Sequence, residues 1–138
     1  DLAIATDHAK IVHPEGRLGT FAPMAAVLAP SQEGRKETAK LLLTGDPRDA
    51  PEALRIGLVN QIVPAEKLKN SVRELVGRML TISPLSATFS KKAINSQLVE
   101  KMTDFKESLH TMILASQTED FKEGVTAFLA KIKPIWKE

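Results

Sequence analysis

Three histidines, the glutamate of the Pro14-Glu15 step and the Lys91-Lys92 pair are the side chains of this sequence singled out for chemistry. His8, His13 and His110 share no His-x-x-x-His spacing, and no acid joins them on a helix face. A metal centre needs three or four converging donors, so these histidines read as solvated and no metal ligand is assigned. Ser-His-Asp combinations can be drawn from any chain of this size, and no nucleophile elbow is present. The glycines never form Gly-x-Gly-x-x-Gly, which leaves no phosphate-cradling loop. Lys91-Lys92 reads as a solvated helix face, with a phosphate contact as the alternative.

Glu15 stands apart. It follows His13-Pro14, where proline restrains the backbone, and precedes Gly16-Arg17-Leu18-Gly19 on an expected loop leaving a strand. A lone loop carboxylate is ordinary surface decoration. Acid–base chemistry, however, needs a rigidly mounted carboxylate within hydrogen-bond reach of the proton it moves. The Pro-Glu step and the tight Leu-Gly supply such a mounting.

The elements that must position this residue follow from periodicity. Leu2 to Thr6 reads as a short buried strand and Asp7 to Gly19 as a loop; Pro23 to Pro30 suggests one or two helical turns, and Gln32 to Leu43 a helix. Between Leu41 and Pro64 the signals are dense. Gly45 can close a helix in the left-handed conformation, and Asp49 with Glu52 forms a capping box around Pro51. Gly57 ends that short helix, and Leu58 to Val63 reads as a strand stopped by Pro64. Leu68 to Leu80, Met102 to Ile113 and Phe121 to Ile132 carry apolar stripes at helical spacing, which read as core packing, and Ser83-Pro84 starts a helix expected to run to about Leu98. Trp136 reads as an anchor for the tail. These stripes alone would also suit a free-standing helical bundle.

At 138 residues the chain is expected to be one domain, residues 1–138, with enough apolar content (43%) for a core. A net charge of +2 with interleaved acids gives no argument for nucleic acid. There is no cysteine, so disulfides and thiolate metal sites are excluded and a reducing compartment is permitted. No apolar run approaches a membrane span of ~20 residues. A first residue other than methionine, Asp1, raises the expectation of processing, truncation or an upstream region.

Taken together, these motifs resemble the enoyl-CoA hydratase/isomerase (crotonase) family. Asp1 to Glu15 is similar to the segment leading to the family's second active-site carboxylate, here in Pro14-Glu15, followed by Leu18-Gly19. Leu43-Thr44-Gly45, Glu52-Ala53, Gly57-Leu58-Val59 and Val63-Pro64 match the family's central signature. Ser83-Pro84 with Lys91-Lys92-Ala93 matches its next helix. Glu123-Gly124, Ala127 to Lys131 and Pro134-Ile135-Trp136 match its C-terminal helix.

The resemblance implies an α/β crotonase-like fold, of which this chain would be the C-terminal portion, mostly helical with two short strands. The spiral of ββα units, the oxyanion hole and the first glutamate of hydratases would lie upstream, so the chain alone should be inactive. It implies Glu15 as the acid/base at the α-carbon of a 2-enoyl-CoA. A double-bond isomerase and a non-catalytic oligomerisation module remain alternatives.

Thr20-Phe21-Ala22-Pro23-Met24-Ala25-Ala26 replaces the usual Pro-Gly-Ala-Gly-Gly turn, placing Phe21 and Met24 by the acyl pocket. The Pro23–Pro30 run is similar to that of cyclic dienoyl-CoA hydratases. Phe128 and Lys131 match positions that reach coenzyme A across a subunit boundary; their plain alternatives are a core phenylalanine and a solvated lysine. The resemblance further implies a homo-oligomer (a trimer or dimer of trimers), no cofactor beyond the coenzyme A of the substrate, no nucleic acid or membrane partner, and a cytoplasmic or mitochondrial-matrix setting, cytoplasmic preferred.

Overall fold

The computed structural model describes residues 1–136. In chain order the elements are β1 (Ile4–Thr6), β2 (Lys10–Ile11), a 3-10 helix (Glu15–Leu18), α1 (Pro23–Gln32), α2 (Arg35–Thr44), β3 (Arg48–Asp49), α3 (Ala50–Arg55) and β4 (Gln61–Val63). A second 3-10 helix (Ala65–Lys67) leads into α4 (Leu68–Met79), α5 (Pro84–Glu100), α6 (Met102–Ala115) and α7 (Glu119–Ala130). Contacts group these into two compact units. One holds Asp1–Ile11 and Asp49–Lys101; the other holds Val12–Arg48 and the chain from Met102 onward.

In the first unit β1 and β4 pair in parallel, Ile4 with Gln61, Ala5 with Ile62 and Thr6 with Val63. Asn60 extends the ladder: its side-chain oxygen accepts from the Ala3 N–H at 2.7 Å, and its own N–H donates to the Ala3 carbonyl. The caps around α3 form as the sequence dictates. Asp49 Oδ1 accepts from the Glu52 N–H at 2.9 Å, Pro51 occupies the first turn, and Gly57 turns the chain with φ +86°. Glu52 forks onto Arg55 at 2.7 and 2.8 Å. The expected strand Leu58 to Val63 is shorter than its apolar run, because the Leu58 and Val59 N–H groups both return to the Ala53 carbonyl to close the helix end. Strand geometry therefore begins only at Gln61. In the middle of α5, Lys91 is exposed, as read from the sequence, and makes an ion pair with Asp1 at 2.6 Å.

The second unit joins α1, α2, α6, α7 and the first 3-10 helix. The helix expected from Gln32 starts at Arg35, since Gly34 breaks the chain at φ +88°, and α1 runs on to Gln32 through Pro30. Thr38 Oγ1 donates to the Glu33 carboxylate at 3.1 Å in this buried joint. Gly45 closes α2 at φ +62°, its N–H returning to the Leu41 carbonyl. The expected loop Asp7 to Gly19 holds β2 and a 3-10 helix, and the described residues contain four short strands in place of two.

The buried core is small: Ala22, Ala29, Leu41 and Ala127 in the second unit, Ala50, Ala53, Ile56, Val59 and Val63 in the first. The helical stripes are mostly not core. Val72, Val76, Met102, Ile113, Phe128 and Leu129 are all exposed, and so are Phe89 and Ile94 of α5. The apolar stripe of α4 lines a cleft of ≈ 310 Å³ with Leu2 and Ile4. No described helix is long and apolar enough to cross a membrane.

Candidate active site

Glu15 is the first residue of the 3-10 helix, not a loop residue, with Pro14 as its N-cap. The turn is tied by backbone bonds: Arg17 N–H to the Pro14 carbonyl at 2.9 Å, and Thr20 N–H to the Glu15 carbonyl at 3.2 Å. Gly19 ends it in the left-handed conformation, φ +73°. Two neighbours hold the turn from outside. The Arg17 guanidinium donates to the Thr44 carbonyl, at the C-terminus of α2, and to Asp46 Oδ1 at 2.7 Å. On the other side α7 comes into backbone contact. Gly124 lies against Leu18, and Gly19 against Asp120 and Phe121, so closely that a methyl on either glycine would overlap main-chain atoms.

This mounting leaves the Glu15 carboxylate partly exposed, at 36%, with an internal asymmetry. Oε2 is shielded from solvent and has no hydrogen-bond partner among the described residues. His13 Nδ1 lies 3.9 Å from it, and the His13 side chain is 29% exposed, so this histidine is less solvated than its sequence context suggests. His8 is exposed beside Asp7, and His110 is exposed. No group of three His, Cys, Asp or Glu side chains suited to a metal ion occurs among the described residues.

The structure brings the other sequence-selected residues together only in part. Phe21 is half-buried and lines a cavity of ≈ 650 Å³ with Gly16, Thr20, Leu42, Pro134 and Trp136. Thr20 Oγ1 is buried without a hydrogen-bond partner. Glu15, Met24, Phe128 and Lys131 are not among the described residues lining that cavity. Met24 is exposed at the start of α1. Phe128, at 67% exposure, is not a core residue, because it lies on the outward side of α7 while Gly124 and Ala127 are buried. Lys131 caps α7 in the left-handed conformation at φ +56°, the one non-glycine described residue with positive φ. Glu123 Oε1 accepts from the Ile135 N–H at 2.8 Å, and Trp136 lines the cavity with Phe21 but remains exposed.

A partly exposed carboxylate side chain with one oxygen shielded, on a turn braced from two sides, can exchange a proton with a small acidic C–H group. The sequence profile of the enoyl-CoA hydratase/isomerase family matches residues 1–138. The chain belongs to the enoyl-CoA hydratase/isomerase family. Crotonyl-CoA hydratase of Syntrophomonas wolfei is 36% identical, aligned over 96% of this chain and 52% of its own length. Mouse enoyl-CoA hydratase domain-containing protein 3, mitochondrial, is 31% identical over 99% of this chain and 46% of its own. The crystal structure of carnitinyl-CoA hydratase from Mycobacterium avium superposes with a TM-score of 0.92 at 32% identity, over 99% of this chain and 54% of that one. The fold is crotonase-like. The chain spans about half the length of the curated family members it matches.

Sequence reasoning missed two parts of the site. One is the approach of His13 to Glu15, for which the signal was their placement on either side of Pro14. The other is the Gly19–α7 contact, signalled only by two glycines far apart in the chain.

Proposed function

We propose that the protein carrying this chain hydrates a 2-enoyl-CoA thioester, with Glu15 moving the proton at the α-carbon. Water adds its oxygen to the β-carbon and gives up one proton, while the α-carbon takes a proton from the Glu15 carboxylic acid. The proton lost by water restores that acid, so Glu15 cycles between carboxylic acid and carboxylate. The observation that carries this reading is the braced Glu15 carboxylate with its shielded, unpartnered Oε2. Family membership supports the thioester substrate. A cyclic dienoyl substrate is the narrower version of the same reading. Phe21 and Met24 would bound the acyl group, and Phe128 and Lys131 would contact coenzyme A, which their exposure permits.

In this reading the chain is the C-terminal portion of the crotonase-like domain, and the oxyanion hole lies outside it. The shortness of the four strands in the described residues supports that placement, because a spiral of ββα units needs longer ones. Relatives from bacteria and mitochondria support a cytoplasmic or mitochondrial-matrix setting.

The test is Glu15→Gln in the whole protein, assayed for hydration of crotonyl-CoA. Turnover should fall roughly 10²–10⁴-fold, the usual worth of general acid–base catalysis. Near wild-type turnover would overturn the assignment. Conversion of a 3-enoyl-CoA to its 2-enoyl isomer without hydration would replace hydratase by isomerase and leave Glu15 in place.

A further inference from the structure

We infer that His13 is a positioning residue for Glu15, its imidazole engaging Oε2 so that Oε1 is the oxygen presented to the α-proton. This rests on the reading of Glu15 given above. The two side chains flank Pro14, whose ring fixes its own φ and narrows the backbone freedom of the residue before it. Their spacing is therefore held by a stiff stretch of main chain that also begins a hydrogen-bonded turn. Nδ1 to Oε2 is 3.9 Å, outside hydrogen-bond range. A small rotation of either side chain closes that gap, and catalytic hydrogen bonds are often long before substrate binds. Oε2 is shielded from solvent and unpartnered, a costly state for a carboxylate oxygen.

Imidazole suits both protonation states of the cycle. Nδ1–H donates to the carboxylate, and in the other tautomer Nδ1 accepts from the carboxylic acid. An amide also carries a donor and an acceptor, whereas a phenyl ring carries neither. The pair His13→Gln and His13→Phe therefore separates hydrogen bonding from ring packing.

The experiment measures kcat and KM for crotonyl-CoA hydration by the whole protein. His13→Phe should lower kcat by roughly 10-fold or more, part of the range for acid–base catalysis, with KM changed by less than about twofold. His13→Gln should recover most of kcat. In a Glu15→Gln background, His13→Phe should change kcat by less than about twofold, because the histidine acts through the carboxylate. Full activity of His13→Phe, a Gln variant as slow as the Phe variant, or multiplying losses in the double variant would each overturn the inference. Glu15→Gln at wild-type activity would overturn the reading of Glu15 and this inference with it. An inactive Glu15→Gln beside a fully active His13→Phe would overturn the role of His13 alone.

Discussion

Lys131 combines a local cost with a proposed task. Its left-handed backbone is satisfied by a helix-closing pattern, the Lys131 N–H returning to Phe128 and the Ile132 N–H to Ala127. Glycine adopts that conformation without the Cβ clash, which costs an L-residue about 1–2 kcal/mol. Lys131→Gly should therefore raise the unfolding midpoint of the chain by an amount worth about 1 kcal/mol. If the ammonium meets coenzyme A, the same change should weaken coenzyme A binding in the whole protein, more at low salt than at high salt. Calorimetric titration at two ionic strengths reads this, and an unchanged affinity would leave Lys131 a solvated cap. Arg17→Ala should change stability by no more than about 1 kcal/mol, because the ion pair with Asp46 is exposed on both sides. Urea unfolding checks this.

At the scale of elements, the turn bearing Glu15 depends on its glycines. Gly19→Ala meets both a left-handed φ and the main chain of α7, so it should destabilise by roughly 2–4 kcal/mol, read as a shift in urea midpoint. Asp49→Ala removes one cap from α3 and should cost only about 1 kcal/mol. Elements set by local chemistry were legible in the sequence: the Asp49 cap, the Gly45 and Gly57 turns and the start of α5 at Pro84 all stand where their residue types place them. Elements set by competition for the same backbone groups were not. Leu58 and Val59 look like strand but serve a helix end, and Glu15 looks like loop but opens a 3-10 turn. The proline and glutamate at the site were visible; the shielding of Oε2 was not, because it depends on packing across the fold.

For the molecule as a whole, the mismatch between long apolar stripes and a small core is the dominant physical fact. Stripes read as core on periodicity alone leave Val72, Val76, Ile113 and Phe128 exposed, as Phe89 and Ile94 of α5 are, and such surface drives association in water. The chain in isolation should therefore self-associate, and light scattering coupled to size exclusion should report a mass above 15.1 kDa. A clean monomer would argue against these faces as assembly surfaces. The isolated chain should also show no hydration of crotonyl-CoA while the whole protein does, since the proposed oxyanion donors lie outside it.

The contact of Gly19 and Gly124 carries a consequence for biosynthesis. Chains emerge from the ribosome N-terminus first, at about 5–20 residues per second. The Glu15 turn leaves the ribosome before α7, the helix that braces it. The braced geometry of the carboxylate forms only after α7 has emerged, so a chain ending before α7 carries Glu15 on an unbraced turn.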